Sequence, residues 1–141
     1  MDWRILAQLQ EDARTSHAEL ARRVHLTPPA VAARVRRLEE RGVVRGYRLE
    51  LDLARLGLGT LAFVRVRSEA RSQRPLLETA ASVPEVLECH HVTGEDCYVV
   101  KVAARSLPDL ERVVVELGRY GSTTTSIVFS TPIARRTLTR D

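Results

Sequence analysis

Two clusters of side chains in this chain have the right types for chemistry. The first is Cys89-His90-His91 with Cys97, and the second is the acids Glu85, Glu88, Glu95 and Asp96 around it. Thiol and imidazole together suggest a metal. On a strand, however, neighbours point to opposite faces, so Cys89 and His91 share a side that His90 does not. The paired-ligand spacing of a zinc site is also missing, and buried packing with sheet-face polarity accounts for these residues better. The four acids lack a nucleophile elbow, a phosphate-cradling glycine loop or an H-E-x-x-H helix to work with, so a solvated loop explains them better than acid–base catalysis. The expectation is a chain without catalytic residues, cofactor or metal.

The third concentration is arginine. Residues 1–48 hold ten arginines and no lysine against six acids, net +4, whereas residues 49–141 hold twelve basic and twelve acidic residues. The whole excess of the +4 chain therefore lies in its first third, which suggests a polyanionic partner there. The elements that would present those arginines are three short helices. Ile5, Leu6 and Leu9 mark the first. Ser16 caps the second, with Glu19 completing a capping box and Leu20, Ala21 and Val24 turned inward. After the tight His25-Leu26-Thr27 connection, Thr27 caps a third helix with Pro28 at its first position, which runs to about Arg41 and stops at Gly42.

Three helices ending in an arginine-rich one are the layout of a helix-turn-helix. Val31, Val35 and Leu38 make the third helix's core stripe, and Pro29, Ala30, Ala33, Arg36 and Arg37 project from the opposite side. Small residues let a helix sit deep in a major groove, and arginine reaches guanine edges or phosphates. Val43 to Arg48 reads as a strand-like wing, giving a DNA-binding domain over 1–48, and 49–59 reads as a linker.

From residue 60 to 131 the pattern alternates between strands and helices. Leu61–Arg67 is a strand and Ser72–Val83 a helix with Leu76, Leu77 and Ala80 inward. Val86–Thr93 and Tyr98–Ala104 are strands on either side of a break at Gly94. Leu107–Leu117 is a helix and Thr123–Ser130 a strand. The order βαββαβ is that of a ferredoxin-like α+β sandwich, and residues 132–141 form a polar, peripheral tail. No run of about 18 apolar residues would span a membrane. Met1 to Gln10 has no cleavable leader pattern, and two cysteines are too few for a secreted disulfide framework, so a cytoplasmic protein is expected.

With both halves laid out, the sequence resembles the Lrp/AsnC (feast/famine) family of bacterial and archaeal transcription regulators. The segments that carry the resemblance are DWRILAQLQEDAR, ELARRVHLTPPAVAARVRRLEERGVVRGY, VPEVLECHHVTGEDCYVVKV and YGSTTTSIVFS, in this order and spacing. The resemblance implies a winged helix-turn-helix joined to a RAM-type domain. It also implies dimerisation through the C-terminal sheets, larger rings such as octamers, and an amino acid or related metabolite bound between those domains.

By position, His25, Thr27, Pro29, Ala30 and Ala33 stand where the family meets DNA, and Arg34 and Arg37 where it adds basic contacts. The helical projection sets Arg34 nearer the core edge, which suits a phosphate contact or an internal ion pair. The effector loop corresponds to Gly94, Glu95 and Asp96, followed by Cys97 and Tyr98. Many members have glycine, acid, aromatic, aspartate here; this chain has Asp96 at the aromatic position and Cys97 at the second acidic one. Thr123 and Thr125 match the family's alternating threonines and would face one side of a strand, where two hydroxyls could hold a carboxylate. Ordinary β-propensity explains them equally well. Two other readings stand beside an amino-acid-sensing regulator: an architectural DNA-binding protein with no effector, and a small ferredoxin-like enzyme with a degenerate helix-turn-helix.

Overall fold

The computed structural model describes residues 2–69 and 72–140. It divides into two compact units, Met1–Glu50 with Pro132–Asp141, and Leu51–Thr131. Residues 51–59, read as linker, thus belong with the second unit, where Leu58 N–H closes on Leu53 O at 2.8 Å.

The first unit holds α1 (Asp2–Glu11), α2 (His17–Val24) and α3 (Pro28–Glu40). Ile5, Leu20, Ala21, Val24, Val31, Val35 and Leu38 are its buried core, with Leu6, Leu9, Leu26 and Val44 closing the edges. Ser16 caps α2, its Oγ accepting from Glu19 N–H at 3.2 Å. The reciprocal half of the expected capping box is replaced: the Glu19 carboxylate binds Arg22 and Arg23, one turn on, because two guanidiniums outcompete a single backbone amide. Thr27 stands at the α3 N-cap without a side-chain bond. Pro28 and Pro29 follow it, and Pro29 at the second helical position removes one of the two amides that a cap side chain serves.

α3 ends in a Schellman arrangement. Gly42 takes φ +68°, its N–H bonds Glu39 O and Val43 N–H bonds Leu38 O, both at 2.9 Å. Val44 N–H also turns back to Leu38 O, so the valines expected to open a wing strand instead close the helix. Residues 45–50 form no regular element and pair with no strand among the described residues.

The second unit runs β1 (Thr60–Ser68), α4 (Gln73–Ser82), β2 (Val86–His91), β3 (Tyr98–Ala104), α5 (Leu107–Gly118) and β4 (Gly121–Ile127). The strands form one antiparallel sheet in the order β2-β3-β1-β4, the expected ferredoxin-like α+β topology. Ala62, Val64, Val66, Tyr98, Val100 and Val102 turn to the face covered by the helices, and Leu76, Ala80, Leu110, Val113 and Leu117 meet them. Leu77, expected inward, is 43% exposed, because the inward α4 stripe is narrow and Leu77 lies a full 100° from Leu76. It borders a groove with Val86 and Cys89 at the outer β2 edge. β4 begins two residues earlier and ends three earlier than the threonine-rich run suggests. Gly121 admits this because its backbone comes so close to β1 that any Cβ would sit 2.0 Å from Arg67 O.

Candidate nucleic-acid interface and effector site

His25, Thr27, Pro29, Ala33, Arg36 and Arg37 are exposed and Ala30 is half-buried, so α3 offers its small and basic residues outward while Val31, Val35 and Leu38 anchor it. His25 is held in the left-handed region at φ 58° and ψ 48°, where its N–H and that of Leu26 both bond Ala21 O. Among the described residues it is the one non-glycine residue with positive φ. That costs about 1 kcal/mol and sets the imidazole at the corner between α2 and α3.

The arginines divide by partner. Arg22 and Arg23 are spent on Glu19, whose carboxyl is held down at about 2 by the hydrogen bonds from Arg22 and then Arg23. Arg34 pairs with Asp2 at 3.0 Å, fixing α3 to the start of α1. Arg36 and Arg37 have no acidic partner among the described residues. Arg36 borders a crevice of 420 Å³ with Leu9, Glu39 and Tyr47. Tyr47 donates to Glu39 there at 2.9 Å, and partial burial, then that bond, pushes its hydroxyl up. Sequence reasoning passed over Arg41, Arg45 and Arg48, which are also exposed and unpaired among the described residues; their signal was simply a basic run continuing past Gly42.

In the second unit, Gly94 turns at φ 107°. Val92 N–H bonds Cys97 O at 2.9 Å, and Cys97 N–H bonds Val66 O at 3.1 Å. Glu95 pairs with Arg67, and Asp96 with Arg65 at 3.6 Å, so both loop acids lie over the sheet face that the helices leave open. Thr123 and Thr125 do share one face, as strand alternation requires, but they stand opposite Val66 and Val64 on the helix-covered side. The hydroxyls beside the loop's arginines are those of Ser122 and Thr124, opposite Arg67 and Arg65. The structure therefore brings Glu95 and Asp96 together and sets Thr123 and Thr125 on the other face.

The remaining chemistry-bearing residues have ordinary partners. His91 stacks on Tyr98 at 4.8 Å, and His90 and Lys101 hold Glu88 at 2.9 and 3.0 Å. Glu85 pairs with Arg112, and burial pushes the Cys89 thiol up. Among the described residues no three His, Cys, Asp or Glu side chains converge to hold a metal, and no helix is long and apolar enough to cross a membrane.

Comparison with known proteins places both units. Residues 1–45 match the winged helix-turn-helix DNA-binding domain, and residues 61–138 match the Lrp/AsnC ligand binding domain. The chain belongs to the Lrp/AsnC family. It is 32% identical over 130 residues to the regulator LrpC of Bacillus subtilis, spanning 92% of this chain and 90% of that one. The solved LrpC structure superposes with a TM-score of 0.90 over 95% of this chain and 96% of that chain. AldR of Mycolicibacterium smegmatis is 38% identical over 92% of this chain and 80% of its own. A transcriptional regulator of Neisseria meningitidis solved in complex with L-Met superposes with a TM-score of 0.89 at 30% identity, covering 97% of this chain and 93% of that one. The chain is thus a DNA-binding transcriptional regulator with a ligand-binding domain, and its relatives are regulators rather than enzymes.

Proposed function

We propose that this Lrp/AsnC regulator reads operator DNA with α3 and is switched by an amino acid or related metabolite. His25, Thr27, Pro29, Ala30 and Ala33 approach the bases, Arg36 and Arg37 reach guanine edges or phosphates, and Arg34 orients the helix through Asp2. The observation that carries this is the division of the α3 surface: its small residues and two unpaired arginines face outward, while its third arginine is committed to an internal ion pair.

Two copies would join through the sheet face that α4 and α5 leave bare, where Phe63 and Val99 sit among the ion pairs. A closed ring such as an octamer is compatible with further contacts. In the dimer two α3 helices would enter successive major grooves of a near-palindromic site in the cytoplasm, about one helical turn apart. The L-Met complex of the Neisseria regulator supports an amino acid as the effector class. Gly94, Glu95 and Asp96 are the candidate residues on the open sheet face, whereas Thr123 and Thr125, on the helix-covered face, would need a separate contact with the ligand. One observation favours the alternative of an effector-independent architectural binder: Glu95 and Asp96 are already neutralised by Arg67 and Arg65.

Fluorescence anisotropy with the protein's own upstream DNA, with and without a panel of amino acids, separates these readings. Selective binding that one amino acid alters supports the regulator. Selective binding that no amino acid alters favours the architectural protein, and no binding to any DNA refutes both.

A further inference from the structure

The ten C-terminal residues belong with the helix-turn-helix unit. The contact is specific: the Gln10 carboxamide grips the Leu138 peptide from both sides, Nε2 donating to Leu138 O at 3.0 Å and Leu138 N–H donating to Oε1 at 2.9 Å. Apolar burial does not hold the segment, since Ile133 and Leu138 are 61% and 69% exposed. Arg135, Arg136 and Arg140 are exposed and have no acidic partner among the described residues. With the tail included, the first unit holds thirteen arginines against eight acids, net +5, while the second is at −1. Two hydrogen bonds thus hold three further guanidiniums on the unit that already carries the chain's basic excess. A polyanion is drawn to both the unit and its tail.

We propose that the tail is an accessory DNA arm, in which Arg135, Arg136 and Arg140 neutralise backbone phosphates flanking the α3 site and Gln10 positions the arm. The inference rests on the DNA-binding reading and adds a sequence-independent component to it. Phosphate contacts strengthen every site equally and carry no base information.

The test uses the full chain, an upstream-region duplex and a scrambled duplex of the same length, titrated across a salt series. The R135A/R136A/R140A variant is compared with wild type, with a triple Arg→Lys variant and with an Arg74→Ala/Arg119→Ala control. Each lost phosphate contact lowers the slope of log K against log salt by about 0.9. The alanine variant should therefore lose about 2 to 3 in slope and weaken on both duplexes by a similar factor. The lysine variant should keep the wild-type slope and the control nearly so. Gln10→Ala should weaken binding when the three arginines are present and have no further effect once they are gone.

An unchanged slope in the alanine variant, or a loss confined to the upstream duplex, overturns the arm. So does an equal loss in the control. Wild type that binds neither duplex refutes the DNA reading itself, and the arm with it.

Discussion

Leu20→Ala tests whether the helical unit stands on its own core. Leu20 is fully buried among seven core residues contributed by all three helices. Truncating a leucine at such a site costs about 3–5 kcal/mol, the spread reflecting how far the cavity collapses. A unit of about sixty residues has about 3–9 kcal/mol of stability in all, so the loss consumes about a third of it or more. Trp3, the single tryptophan, lies in α1 and reports this unit alone, whereas amide exchange in β1 and β3 reports the sheet. With a urea dependence of about 1 kcal/mol per molar for so small a unit, the Trp3 midpoint should fall by about 3–5 M and the sheet's protection should stay as it was. DNA affinity should drop in step with the folded fraction of the unit. If the Trp3 transition and the sheet shift together by the same amount, the chain folds as one block and the separate-core reasoning is wrong.

Three further outcomes are expected. His25→Gly should stabilise the protein by up to about 1 kcal/mol, because glycine adopts the left-handed corner freely, yet weaken DNA binding; thermal melts and anisotropy on one sample distinguish the two effects. Gly121→Ala should cost about 3 kcal/mol or more and detach the start of β4 from β1, since the clash is with the Arg67 carbonyl, which cannot rotate away; loss of exchange protection across that ladder is the measurement. Glu19 has a folded pKa near 2, below its ordinary 4.5, so its contribution is complete above about 4.5 and is lost as pH falls toward 2. A carboxyl carbon titration by NMR should place its midpoint there, and Glu19→Gln should remove the acid dependence of α2 in that window.

What the sequence made legible was what apolar spacing alone decides. Val31, Val35 and Leu38 located the inner side of α3, and the same spacing read the βαββαβ order and set Arg34 at the core edge, where it meets Asp2. Features that depend on competition between partners were not legible. Glu19 suits a capping box by spacing and is drawn away by two arginines that are also within reach. Thr123 and Thr125 share a face by alternation, yet which face follows from pairing with Val66 and Val64, some sixty residues earlier in the chain. The Gln10–Leu138 clamp joins positions 128 apart and involves a backbone that any residue would supply, so it leaves no signature in composition or period.

The two prolines that open α3 bear on how the protein meets its target. A helix start normally presents several free amides to a passing phosphate, and its first turn frays and re-forms. Pro28 and Pro29 remove two of those donors and lock two backbone torsions. The entropy of ordering that turn is therefore lost during folding and not at the encounter with DNA. Association should show little of the heat-capacity change that accompanies folding on contact, and discrimination among sequences should rest on side chains fixed in advance, with little help from main-chain anchoring.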